Sequence, residues 1–578
     1  MYNLEQVFNS LSSECIIVQT PQELDSILKK IRSSTEVAIH IETTGHDFFS
    51  DGITAIWIAT AINEPVILIQ VDILPSNVRN RLQRLFGSAS IDKIFFNAVS
   101  ACTFIANNRF RAINGSKFDL LTAHNLLNSS HPKRDFGLTD LVEIYLGNRY
   151  ESLFSEIGTD SRDVKDLNEM ARCINMLLPL KEKLIDELDM NGLRDTFELE
   201  SGCIDVACNL NMAGIMPNYR ALRRDLKEIE KERHRYKKEA EFFFAEDLNI
   251  DGTTTLKQGL NNHPKIIAKD LVFSDTKRAT LESIAHKLPG IQSILDYRAA
   301  KHKSNAITRV LESVNRETRR VHSLYNPLIT ATNGFSCVSP DLESIYISED
   351  FSEYFDAEEG KTLIMGKYHE LKLRIIAGLC SDSHMIDIYK NKSEFIKHTA
   401  STFYDKRPYK VTKLEMEFAG AMVYKFIFGN DSTELSDREL YFKNEFFDRY
   451  NELFQWKEKL IESDTNDIRS IGGRLKKWNR DYNSKRGILN AIVQGTVMDI
   501  TKRALWKFFE KLDGEYAKVV GFLKNDILVE VNNEDIDLVK DDLSRAMVNA
   551  GKFYLNDVPV KVNIEVQNSW KHKFLSFR

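Results

Sequence analysis

The spacing of apolar and polar residues changes several times along the chain. Residues 37–41 (VAIHI), 54–60 (TAIWIAT) and 65–71 (PVILIQV) are short β-rich runs separated by Gly, Asp and Asn, and Lys93–Phe96 adds a fourth. These runs predict a sheet at the start of the chain. From about 117 to 190, Leu and Ile recur three and four residues apart through LLTAHNLL, LTDLVEIYL and INMLLPLKEKLIDEL, which predicts helices. The first 195 residues therefore read as one α/β domain. Residues 196–318 are mainly helical and charge-rich, with 222–240 (LRRDLKEIEKERHRYKKEA) expected as a long exposed helix. After 318, strands and helices mix. TLIM precedes LKLRIIAGL, a helical block covers 411–464 and a helix runs from about 487 to 511. A hairpin with polar NDI between two apolar runs spans 519–531, and VPVKVNIEV supplies a last strand.

At 578 residues the chain exceeds the roughly 250–300 at which a single core stops growing, so two or more domains are expected. With 43% hydrophobic and 28% charged residues and only 26 Gly and 12 Pro, almost all of it should fold. The formal charge of −6 mixes basic clusters at Lys301–Lys303, Arg316–Arg320 and Arg469–Arg486 with acidic stretches at 342–359 and 534–542. The sum therefore neither requires nor excludes a nucleic-acid surface. Seven scattered cysteines show no metal-ligand spacing and no disulfide framework. The first residues lack a basic segment followed by an apolar one, and no run approaches ~20 apolar residues. An intracellular protein without a membrane span is expected, cytoplasmic in the first instance.

Five segments of the C-terminal half resemble, in order, the motifs of family-A DNA polymerases. TNGFSCVSPDLESI (332–345) resembles T-G-R-L-S-S-x-x-P-N-L-Q-N-I, and KYHELKLRIIAGL (367–379) resembles motif A, D-Y-S-Q-I-E-L-R-I-L-A. VTKLEMEFAGAMVYKFIFG (411–429) resembles the fingers helix and LNAIVQGTVMDITKRAL (489–505) the helix N-x-x-I/V-Q-G-T-x-x-D-I-x-K. GFLKNDILVEV (521–531) resembles motif C, V-H-D-E-L-V-x-E-V. Upstream, IHIETTG (39–45), FFNAVSA (95–101) and the segment 118–147 resemble the DEDD-type 3′–5′ exonuclease. ESGCIDVACNLNMAGIMPN (200–218) and LDYRAAKHKSNAI (295–307) resemble the entry to the thumb and a thumb helix. The resemblance implies a multidomain α/β and α+β fold: an RNase H-like exonuclease domain (1–195), a thumb (196–318), a first part of the palm (319–375), fingers (376–486) and a second part of the palm (487–578).

The same resemblance locates the chemistry. The family holds two Mg²⁺ ions with one Asp from motif A and one from motif C; those positions are Lys367 and Asn525 here. Glu370 and Asp526 lie close by, and strand alternation is expected to turn both away from the metal-holding face. The triphosphate and base contacts of the fingers helix fall on Met416, Gly420 and Tyr424, with Tyr424 and Phe428 also readable as packing at i, i+4. The four exonuclease carboxylates fall on His40, Glu42, Ala101 and Ile174, or Asn175 for the last. His40 and Glu42, two apart on a strand, are either a residual metal pair or a half-buried pair in an obsolete site.

Arg474, Lys476, Lys477, Arg486, Asn490 and Gln494 hold positions that in the family approach primer-template, whereas Gly334 and Glu343-Ser344 replace other primer contacts. The expectation is a pseudo-polymerase that binds DNA, or a replication or transcription partner, with no cofactor. One alternative is a divergent active polymerase using Mg²⁺ through Glu370 and Asp526. Another is an interaction protein with a closed cleft, marked by Lys367 paired with Asp526 or Glu370.

Overall fold

The computed structural model describes residues 12–72, 77–108, 113–128, 136–147, 167–244, 249–269, 271–328, 334–346, 354–429, 435–463, 466–478 and 487–567. Its first sheet contains β1 (Cys15–Val18), β2 (Glu36–Thr43), β3 (Ile53–Ala59), β4 (Val66–Gln70), β5 (Asp92–Phe95) and β6 (Lys117–Asp119), in the order β1-β4-β3-β2-β5-β6. β3 runs antiparallel to β2 and β4, and the other pairs are parallel. Every residue of β3 is buried, which is why TAIWIAT shows no alternation: both faces of the sheet are covered. β6 corrects the expectation of helix from 117 onwards. Lys117–Asp119 pairs with β5 before the helical spacing begins, and three residues are too few to show a strand period.

α1 (Ala98–Asn107) and α2 (Leu167–Asn175) flank this sheet, α2 lying against β2 and β3. α3 (Arg194–Ala213) then joins the two halves of the molecule. Its Cys203, Ile204, Ala207 and Leu210 are buried, and it packs on α1 at one side and on C-terminal elements at the other. The expected boundary at 195/196 falls inside this helix, because a shared element carries no composition break.

α4 (Tyr219–Phe244) and α5 (Pro289–Glu312) lie side by side, and Phe244, Leu260, Phe273 and Ile291 form a separate small core at their end. Arg235–Glu239 and Lys237–Glu241 pairs lace the exposed side of α4, as its charge pattern predicts. The neighbouring basic clusters are not all surface charge. Arg320 is buried, with its guanidinium 2.7 Å from Glu358 and 3.2 Å from the fully buried Glu530, and Lys301 reaches Asp251 at 2.6 Å.

The second sheet is antiparallel, with β7 (Lys361–His369), β8 (Ala517–Leu523), β9 (Asp526–Asn532) and β10 (Lys561–Val566) in the order β8-β9-β7-β10. Helices α6 (Leu371–Cys380), α7 (Phe395–Phe403) and α8 (Lys413–Phe428) follow β7, α9 (Gly487–Phe509) precedes β8, and α10 (Ile536–Tyr554) links β9 to β10. The expected boundary at 375/376 lies within α6. α10 covers one face of the sheet so closely that a Cβ on Gly366 would lie 2.7 Å from Met547 Sδ. The Tyr368 hydroxyl also donates to the Met547 carbonyl at 2.7 Å. Alternation along β7 therefore puts Lys367 on the opposite face. No described helix is long and apolar enough to cross a membrane.

Candidate functional site

Lys367 lies half-buried on that opposite face. The β7–β9 ladder reaches Gly366 opposite Ile527, and one step further Lys367 meets Asp526, with Nζ 4.0 Å from Oδ2. On its other side Lys367 pairs with Asn563 of β10, and Glu565, two residues along the same face, brings Oε2 to 3.3 Å. The three side chains are 19–25% exposed, so the cluster opens to solvent at one side.

The orientation expected for Asp526 is corrected here. Lys524 and Asn525 have φ of +50° and +75° and form the two-residue turn between β8 and β9. Strand alternation does not carry through such a turn, so Asp526 opens β9 on the same side as Lys367. Asn525 sits in the turn itself, and the neighbouring Lys524 N–H donates to Glu343 Oε1 at 3.2 Å.

Glu370 is committed elsewhere. β7 ends at His369, and Glu370 takes a left-handed conformation (φ +52°) from which its carboxylate accepts the N–H groups of Phe395 and Ile396, both at 2.9 Å. It thus caps the first turn of α7, where the helix dipole favours a negative charge. Arg374 of α6 secures the same corner. Its Nε donates to the His369 carbonyl at 2.9 Å, and its guanidinium lies 4.0 Å over the Tyr389 ring.

On α8, Met416, Gly420 and Tyr424 recur every fourth residue and share one face. Gly420 is buried and Met416 packs against the main core. The Tyr424 ring stacks on Phe428 with centroids 6.0 Å apart and planes 16° apart, and burial pushes its phenol up to about 12. The packing reading of Tyr424 and Phe428 describes this contact.

In the N-terminal sheet, His40 and Glu42 share a face of β2, and Trp57 of β3 stands opposite His40. The Trp57 indole N–H donates to Glu42 Oε1 at 2.6 Å, within a fully buried setting. Burial also pushes His40 down to about 4, so its imidazole is neutral near pH 7. Ala101 of α1 and Ile174 of α2 are packed into the surrounding apolar cores. Asn175, the alternative fourth position, donates instead to the Ser12 carbonyl at 2.9 Å. The Glu42 carboxylate is thus buried against the Trp57 indole.

The DNA-facing set divides. Arg474 does not face a groove: its side chain is 3% exposed and its guanidinium pairs with Glu200 of α3 at 2.5 Å and with Asp499 of α9 at 2.9 Å. Burial alone would lower it, but these two carboxylates hold it well above the usual arginine range. Lys476 is half-buried, its ammonium 5.7 Å over the Trp478 ring, and burial lowers its pKa. Lys477 and Asn490 are exposed and Gln494 is half-buried. Arg486 lies outside the described residues.

The sequence model of DNA polymerase family A matches residues 219–572, more than half of the chain. The chain belongs to DNA polymerase family A. The model of the 3′–5′ exonuclease matches residues 15–174 of this family-A chain. DNA polymerase I of Caldicellulosiruptor bescii is 25% identical over 448 residues, covering 73% of this chain and 52% of its own length. That of Bacillus subtilis is 23% identical over 500 residues, covering 79% and 55%. The chain spans about half the length of these curated relatives. The POL domain of Pol1 from M. smegmatis, solved in complex with DNA primer-template and dNTP, matches with a TM-score of 0.82 at 20% identity, over 96% of this chain and 99% of that one. The shared fold is an exonuclease domain followed by a right-hand polymerase domain.

Against the family-A motifs, Lys367 and Asn525 do not fit a pair of divalent cations. Lys367 presents an ammonium to Asp526 and Glu565, and Asn525 is an amide in a tight turn; neither is a carboxylate ligand for a divalent cation. Several residues of α9, whose sequence resembles the family-A helix, serve packing and buried ion pairs. Lys502 is buried and donates to both Glu200 oxygens at 2.6 and 2.7 Å and to the Pro327 carbonyl at 2.7 Å. The Thr496 hydroxyl accepts the Ile471 N–H at 3.1 Å, and a Cβ on Gly495 would lie 3.2 Å from Ser470 Cβ. Glu200, Asp499 and Lys502 form a buried ion-pair network with Arg474 that the reading of the sequence passed over. A charged residue inside an otherwise apolar helix is the signal that could have found them.

Proposed function

We propose that this family-A protein is a pseudo-polymerase: it binds nucleic acid through its palm and fingers but does not join nucleotides. The observation that carries the proposal is the ion cluster of Lys367 with Asp526 and Glu565. The lysine supplies one fixed positive charge where the family would recruit divalent cations, and it neutralises the neighbouring carboxylates without a metal. No catalytic metal is needed to hold this face together. Met416 and Gly420 offer no cation for a triphosphate, which supports loss of nucleotide binding as well as of chemistry. Closure of Glu42 by Trp57 supports the same reading for the exonuclease half.

The surface proposed to hold primer-template is Lys476, Lys477, Asn490 and Gln494, without Arg474. The lysines would neutralise phosphates, and the two amides would meet minor-groove acceptors with little sequence discrimination. A gel shift on primer-template in EDTA tests this. Binding that weakens steeply with salt and is indifferent to Mg²⁺ is expected. Binding that requires Mg²⁺, or none at low salt, counts against it. The burial of Arg474 and the pairing of Lys367 with Asp526 favour a second reading, an interaction protein that has given up DNA for a replication or transcription partner. Absence of any binding to primer-template or single strands at low salt would select it.

A further inference from the structure

At the start of α8 the chain forms a compact knob from Asp405 to Lys413, ahead of the helix that carries Met416, Gly420 and Tyr424. Its sequence, DKRPYKVTK, places four cations around one aromatic residue: Lys406, Arg407, Lys410 and Lys413 about Tyr409. Tyr409 is 69% exposed and Leu414, in the first turn of the helix, 77%. Residues 405–410 are all exposed.

The knob is ordered by its own hydrogen bonds. Asp405 turns the chain in a left-handed conformation (φ +47°), and the Lys406 N–H returns to the Ser401 carbonyl at 2.9 Å. Pro408–Lys410 is a single 3₁₀ turn, closed by the Lys410 N–H on the Arg407 carbonyl at 2.8 Å. Thr412 and Glu415 then form a reciprocal capping box that starts α8. Arg407 Nη1 donates to the Tyr409 hydroxyl at 3.2 Å, which places a guanidinium beside the exposed ring. Lys406 pairs with Glu415, and Lys413 lies 3.8 Å from Glu417. Among the described residues Arg407 and Lys410 have no carboxylate partner, and they flank Tyr409 on either side.

An exposed aromatic ring between two cations suits a ligand with a planar apolar face and a regular negative charge. Nucleic acid supplies both, but in a duplex the base faces are stacked on one another and out of reach. A lone ring can stack only on an unpaired base. An acidic peptide would satisfy the cations and leave the ring in water. We propose that this knob is a binding site for single-stranded nucleic acid, with Tyr409 stacking on a base and Arg407 and Lys410 meeting the adjacent phosphates. At 1.5 Å per residue, Tyr424 lies about 16 Å along α8 from Lys413, so a strand leaving the cleft would need only a few nucleotides to reach the knob. The inference does not depend on primer-template binding in the cleft.

The test is fluorescence anisotropy of a labelled oligothymidylate with the full chain and three variants, each checked by circular dichroism melting. Tyr409→Ala and the double variant Arg407→Ala/Lys410→Ala are each expected to weaken binding at least fivefold, and Tyr409→Phe to retain it. The salt slope of the double variant should fall by about 1.4, two charges at about 0.7 each. Affinity for a blunt duplex should be unchanged by Tyr409→Ala, which keeps the outcome separate from any loss of duplex binding. Unchanged single-strand affinity in both the Ala and the double variant would overturn the proposal. So would equal losses in Tyr409→Ala and Tyr409→Phe, or competition by polyglutamate as effective as that by unlabelled oligonucleotide.

Discussion

The Lys367 ammonium sits 3.3 Å from the Glu565 carboxylate, two neighbouring strands bringing opposite charges to one face of the palm. If this lysine takes the electrostatic place of a cation, Lys367→Asp should gather three carboxylates where an ammonium had stood between two. The variant is expected to melt lower than the parent in EDTA and to recover part of the loss in Mn²⁺, while the parent's melting is indifferent to Mn²⁺. Differential scanning fluorimetry with and without the metal reads this directly.

Arg474→Ala should act on stability rather than on DNA. It leaves Glu200 and Asp499 buried with one partner fewer, and breaking such a network costs about 3–5 kcal/mol. Lys477→Ala, at an exposed position, should leave the urea midpoint almost unchanged and weaken primer-template binding. Equilibrium unfolding and gel shifts on both variants separate the two roles.

How much of this could be read in the sequence is clearest at these residues. The family, the order of its two domains and the hairpin after α9 were legible because each sits inside a local pattern. Arg474 was misassigned because a G-R-L-K-K run looks the same whether its arginine meets phosphate or buried carboxylates that lie 25 and 274 positions away in the chain. Asp526 was turned the wrong way because period-two alternation cannot register a left-handed turn at Lys524 and Asn525. Trp57 over Glu42 and Glu370 on the α7 terminus are tertiary partnerships with no local trace.

Asp119, at the end of β6, predicts a pH dependence. It is buried with the Thr122 hydroxyl donating to it at 2.7 Å, and burial pushes its carboxyl up to about 7. The folded state therefore holds a proton that the unfolded state releases at the ordinary carboxylate pKa. This contribution to stability is complete below about pH 4 and is lost as pH rises to about 7, by up to about 4 kcal/mol. Asp119→Asn should flatten that fall, and urea midpoints of parent and variant between pH 4 and 8 would show it. Parallel curves would contradict the assignment.

Trp57→Phe keeps the aromatic body and removes the N–H that Glu42 accepts. A loss of about 1–3 kcal/mol is expected for the buried carboxylate left short of a donor. Most of it should return in Trp57→Phe/Glu42→Leu, where no charge is buried. A double-mutant cycle on thermal or urea unfolding measures the coupling.

Primer extension by the purified full chain, on a matched primer-template with all four deoxynucleotides and either Mg²⁺ or Mn²⁺, tests the central claim most directly. The cluster of Lys367, Asp526 and Glu565 predicts no added nucleotide with either metal, under conditions where the same protein shifts the primer-template. Extension that appears with the parent and disappears in Asp526→Ala would contradict it.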